Sequence, residues 1–131
     1  MKEHSYVFRY IFIETDIFNE DYGTISESER ERLYFDLMLG AGEFIENTGG
    51  LKKTRCGIGG RHGKTGWQVV FADYAYPDKS VHIFILLLKF PLNLGHDLSR
   101  KERSELRKLK EKADYYVGLY YERLKGNDSP V

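Results

Sequence analysis

Five basic side chains, Lys52, Lys53, Arg55, Arg61 and Lys64, fall within residues 51–66 with no acid among them. Gly57, Gly59, Gly60, Gly63 and Gly66 run through the same stretch, and glycine lets a backbone approach a ligand at angles closed to other residues. Cations concentrated on a glycine-rich strip are an electrostatic footprint for phosphate, with nucleic acid as the first partner to consider. Residues 1–50 carry eleven Asp or Glu against four Lys or Arg, so the formal net charge of zero covers a polarised chain. The plainer reading of glycine with lysine is a solvated loop between strands. The order of the flanking elements favours the phosphate reading.

Other chemistry is sparse. Cys56 is the single cysteine, and His4, His62, His82 and His96 are scattered without zinc-ligand spacing. Neither a metal nor another cofactor is expected, and a lone thiol fits a reducing cytoplasm. His82 stands in an otherwise apolar run, where a histidine is more often a satisfied rim or core residue than a catalyst. Tyr6 to Ile13 is too short to cross a bilayer and no small-residue cleavage site follows it, so neither export nor membrane insertion is expected.

The elements that must position these residues follow from pattern. The chain has 131 residues, 41% of them hydrophobic, enough for one core and too few for two comfortable domains. Ten tyrosines and eight phenylalanines are many for this length, and tyrosine suits partly exposed sheet faces and interfaces. Val7 to Ile13, rich in β-branched and aromatic residues, reads as a strand, and Ile17 to Tyr22 as a short connection. Ser26 with Glu29 forms a capping-box signature for a helix from about Glu27 to Leu39, which Gly40 and Gly42 end. Glu43 to Asn47 reads as one more helical turn, Leu51 to Cys56 as a strand. Trp67 to Tyr76 and Val81 to Leu88 form a hairpin across the Pro77-Asp78-Lys79-Ser80 turn. The second of these is apolar on both faces, as in a central strand with helix on at least one side. Ser99 with Glu102 opens a last helix whose Leu106, Leu109, Ala113, Tyr116, Tyr120 and Leu124 form one apolar stripe. Its opposite face carries Arg100, Lys101, Arg103, Lys108 and Lys112, commonly no more than a solvated surface. A frayed tail is expected from about residue 126.

This order, with Thr48-Gly49-Gly50-Leu51-Lys52-Lys53 before the basic glycine loop and Asp97-Leu98-Ser99 before the last helix, resembles the HigB-type branch of the RelE toxin superfamily. The resemblance spans roughly Ile11 to Lys112. It is carried by Ile11 to Phe18, by Thr48 to Arg55 with the loop to Gly66, and by Asp97-Leu98-Ser99 leading into Leu106-Arg107-Lys108-Leu109. It implies a single α+β domain with a twisted, mainly antiparallel sheet of about four strands, an N-terminal helix and a long C-terminal helix. It also implies the toxin of a type II toxin–antitoxin pair, a metal-independent, ribosome-dependent endoribonuclease that cuts mRNA. Its partners would be mRNA, the ribosome and a cognate antitoxin carrying a helix-turn-helix.

Residue by residue, Lys53, Arg55, Arg61 and Lys64 fall where the resembled family places its RNA-facing basic residues; RNA contacts are expected of Lys52, Lys53, Arg61, His62 and Asn93, and catalysis of Arg55, Lys64 and position 68. The family commonly has arginine at that last position, where this chain has Gln68, and it has a different segment where this chain reads Phe90-Pro91-Leu92-Asn93-Leu94. Both departures remove charge from the expected centre. Lys89, through a register change near Pro91, and His82 are the candidates to supply it. A non-cleaving RNA- or protein-binding relative and a ParE-type gyrase inhibitor are the competing readings, because fold does not separate them.

Overall fold

The run from Val81 is apolar on both faces because it lies inside the sheet with helices above and below. The computed structural model describes residues 8–57, 66–92 and 98–127. Its strands are β1 (Arg9–Glu14), β2 (Glu43–Phe44), β3 (Lys52–Cys56), β4 (Trp67–Tyr76) and β5 (Val81–Pro91), and its helices α1 (Asp16–Glu20), α2 (Glu27–Met38) and α3 (Arg100–Asn127). The five strands form one sheet in the order β1-β5-β4-β3-β2. β1 pairs with β5 in parallel and every other pair is antiparallel. The architecture is therefore α+β with a mixed sheet, one strand more than expected.

Alternation along the strands divides the core in two. Leu51, Val70, Ala72, Val81, Ile83 and Ile85 face α3, which contributes Leu106, Ala113 and Val117. On the other side Val69, Phe71, Phe84 and Leu86 meet Phe18 of α1 and Leu33 and Leu37 of α2. Both expected capping boxes form. Ser26 N donates to Glu29 Oε1 at 2.9 Å and Glu29 N to Ser26 Oγ at 3.2 Å; the Ser99 and Glu102 pair repeats this at 2.9 and 3.1 Å. Among the described residues no helix is long and apolar enough to cross a membrane.

Four expectations need correction. Residues 16–20, read as a connection, form α1: Thr15 Oγ1 accepts from Phe18 N at 3.2 Å and donates to the Leu86 carbonyl at 3.1 Å, fastening the helix to β5. Residues 43–47 are not helical. Glu43 and Phe44 pair with Lys53 and Lys52, and a tight turn follows in which Asn47, Gly49 and Gly50 all have positive φ. The buried Thr48 hydroxyl closes that turn, donating to Ile45 O at 2.7 Å and accepting from Leu51 N at 3.2 Å. The Thr-Gly-Gly-Leu signature is thus the chemistry of a hairpin turn. On α3 Val117 is buried where Tyr116 was expected, and Tyr116 is 59% exposed. The fourth correction lies in β5, where a register shift opposite Val70 and Phe71 inserts Leu87 between the paired Leu86 and Leu88. Such a bulge turns every later side chain to the other face. Residues 126 and 127, expected to start a frayed tail, continue α3, and residues 128–131 lie outside the described ones.

Candidate nucleic-acid interface

The antiparallel register of β3 and β4 sets Arg55 directly opposite Gln68 and Lys53 opposite Val70. Directly opposed residues in such a ladder project to one face with Cβ atoms ~5 Å apart. Gln68, Val70 and Ala72 therefore share the α3 face, but Val70 and Ala72 are sealed beneath the helix, while Gln68 stays half-buried and Arg55 exposed beyond its cover. Gly42, Glu43, Lys53, Thr54, Arg55 and Gln68 line a shallow cleft of about 420 Å³ there. β2 pairs only with Lys52 and Lys53, so the cleft lies along the part of β3 that no further strand covers.

Arg55 makes no ion pair among the described residues. Lys53 Nζ stands 3.8 Å from Glu43 Oε1, an exposed contact of little energetic weight. Glu43 is the residue of this cleft that pattern missed: its β-pairing to Lys53 is invisible while residues 43–47 read as helix. A guanidinium, an ammonium and an amide can hold and orient phosphate oxygens and stabilise developing negative charge. Among the described residues the Glu43 carboxylate is the one ionisable proton acceptor lining the cleft.

The remaining assigned residues do not gather here. Lys52 lies on the opposite face, its Nζ 3.2 Å from Asp73 Oδ2 and 4.8 Å from the Phe44 ring centre. His82 reaches the same Asp73 oxygen with Nε2 at 3.3 Å and stacks on Phe84 at 4.2 Å between ring centres. Asp73 thus joins Lys52 and His82 into a partly exposed polar group on the α2 side, away from Arg55 and Gln68.

Lys89 must also be reassigned. Unbroken alternation after Ile85 and Leu87 would put it on the α3 face; the bulge sends it toward α1 instead, with Leu88 and Phe90 packing on the α3 side. Its side chain is fully buried. Nζ donates to the carbonyl of Phe18 and, at 2.9 Å, to that of Asp21, and lies about 5 Å from the rings of Phe18 and Trp67. Burial lowers the ammonium's pKa below the usual lysine value, against the opposing pull of Asp21 and Glu14. Lys89 ties down the end of α1 and cannot serve the cleft.

Cys56, at the end of β3, is buried, and burial with the charges of Glu29 and Asp36 pushes its thiol up to about 12. It is no nucleophile at neutral pH. Lys64, Arg61, His62 and Asn93 lie outside the described residues. Among the described residues no His, Cys, Asp and Glu side chains gather in threes to hold a metal ion. No protein-family model and no curated protein matches the chain.

Proposed function

We propose that the chain is the toxin of a type II toxin–antitoxin pair, with a RelE-like arrangement of sheet and helices, and that it cleaves mRNA on the ribosome. The observation that carries this reading is the pairing of Arg55, which makes no ion pair among the described residues, with Gln68 at the end of β3 and β4 from which the basic glycine loop departs. In the reaction the ribose 2′-oxygen attacks the adjacent phosphorus and the bond to the 5′-oxygen breaks. A 2′,3′-cyclic phosphate and a 5′-hydroxyl result, with the 2′-hydroxyl proton passing to a carboxylate and solvent water giving a proton to the departing 5′-oxygen. Arg55 and Lys53 stabilise the charged phosphorane, Gln68 orients one of its oxygens, and Glu43 takes the 2′-proton. No metal is needed for that balance.

An antitoxin has an available surface away from the cleft. Phe35, Met38 and Leu39 at the end of α2, with Phe44 of β2, expose large apolar side chains, and α2 also carries Glu27, Glu29, Glu31 and Asp36. Apolar anchors within a charged rim are what a protein partner covers.

Mapping of new RNA 5′ ends after brief induction tests the reading. Wild type should generate sites within translated regions, and Arg55→Ala should abolish them. Ends that appear equally with both proteins would remove Arg55 from the mechanism. Growth without any new ends would favour the second reading, a relative that binds RNA without cutting, to which the neutral Gln68 opposite Arg55 also points.

A further inference from the structure

Arg100, Arg103 and Arg107 recur at the spacing i, i+3, i+7 and so share one flank of α3. With Ser104 and Asn47 they line a second cleft, of about 490 Å³, and none of its lining residues also lines the cleft at Arg55. Arg103 is fixed by two neutral acceptors: its Nε donates to Leu98 O at 3.1 Å and its Nη1 to Glu46 O at 2.9 Å. Carbonyls hold the guanidinium in place without cancelling its charge. Arg100 and Arg107 are exposed and make no ion pair among the described residues. Glu102, between Arg100 and Arg103, accepts from Ser99 N in the capping box, and among the described residues Glu46, Glu105 and Glu111 form no bridge to Arg100 or Arg107. Asn47, held at φ 64 in the β2–β3 turn, adds an amide at the rim.

Three guanidiniums over seven helical positions form a row about 10 Å long at ~1.5 Å per residue, more than one phosphate group can bridge. Planar forks of this kind match phosphate oxygens in pairs. We propose that this flank of α3 is a second phosphate-binding site, which takes several consecutive phosphates of one RNA strand. The proposal rests on the reading of RNA as the partner, and not on cleavage.

The test is equilibrium binding of a fluorescein-labelled single-stranded RNA to the full chain over a salt series. Arg100→Gln with Arg107→Gln should weaken binding roughly tenfold at moderate salt and flatten the slope of log K against log salt by about 1.4 for two lost contacts at ~0.7 each. Arg100→Lys with Arg107→Lys should keep the slope and lose only part of the affinity. An unchanged affinity and slope in the glutamine variant, beside a clear loss in Lys53→Gln with Arg55→Gln, would overturn this site and leave the RNA reading standing. No RNA binding by wild type would overturn both. Inorganic phosphate displacing the RNA as effectively as an unlabelled strand of equal phosphate content would refute a site for consecutive phosphates. Loss of polyglutamate binding with RNA binding intact would reassign the row to an acidic polypeptide. Both arginines are exposed, so thermal melting should match wild type and exclude misfolding as the cause.

Discussion

An ammonium enclosed by protein must find acceptors or lose its proton, and Lys89 finds them in the carbonyls of Phe18 and Asp21. Lys89→Met should leave both without this donor and lower stability by on the order of 1–3 kcal/mol in urea unfolding, with RNA affinity unchanged. A variant as stable as wild type that has lost cleavage would restore Lys89 to the mechanism. Glu14 gives the second residue-scale expectation. Burial pushes its carboxyl up, but hydrogen bonds from Arg30, Tyr34 and Asn19 together outweigh burial and hold it below the usual value of 4.5. The Arg30 contact is close, 2.7 Å from Nε to Oε2, and Tyr34 stacks on Phe12 at 3.9 Å between ring centres. A carboxylate that titrates lower when folded contributes stability fully above the unfolded value and loses it as pH falls through the folded one. Glu14→Gln should therefore cost about 2 kcal/mol at neutral pH, with the gap to wild type closing as the solution is acidified below 4.5. A gap independent of pH across that range would show that the loss is one of packing.

The helix and strand boundaries of the longer elements were legible except at the end of β5, which was expected at Leu88 and continues to Pro91. Trp67–Tyr76 lies where alternation and the proline turn put it, and α2 starts at Glu27 after its capping box. The five residues of α1 and two of β2 are shorter than any periodic signal, and tertiary contacts settle them: the Thr15 hydroxyl on β5, and the Thr48 hydroxyl across its turn. A register change was expected near Pro91 and it falls at Leu87; the position of this bulge in β5 was illegible for another reason. Leu86, Leu87 and Leu88 are chemically alike, so a one-residue shift among them leaves no mark in the sequence while moving Lys89 to the other face. Of the cleft, Arg55 and Gln68 were legible as candidate site residues, while their direct pairing and the presence of Glu43 were not. On α3, Tyr116 and Val117 fit a helical stripe equally well, and the structure buries valine at 1% exposure. Val117→Ala should cost about 1–3 kcal/mol of stability, and Tyr116→Ala less than about 0.5. The reverse order in chemical unfolding would mean that α3 is rotated by a residue from its described register.

At the scale of the whole molecule, helices cover both faces of the sheet, so a ligand can meet it only where their cover ends. One such place is the end of β3 and β4, and the acidic α2 lies on the opposite face from it. That layout makes position 68 the place where a single charge has most effect. Gln68→Arg would set a second guanidinium directly opposite Arg55, and like charges in that geometry repel by about 0.2–1 kcal/mol. The free variant should be less stable than wild type by that amount at low salt, and added phosphate or RNA should return the difference. In the transition state the same two cations would flank a phosphorane rather than each other, and one well-placed donor of this kind is worth on the order of 3 kcal/mol. Ribosome-dependent cleavage by Gln68→Arg should therefore rise by roughly tenfold or more, while Lys53→Ala and Arg55→Ala reduce both binding and cleavage. If Gln68→Arg leaves cleavage unchanged and wild type already cuts efficiently, the missing charge comes from elsewhere. It cannot come from Lys89 or His82, which face the other side of the sheet, and Lys64 becomes the residue to replace next. If neither protein cuts RNA and both bind it, the chain is a non-cleaving relative whose two basic clefts hold the strand without breaking it.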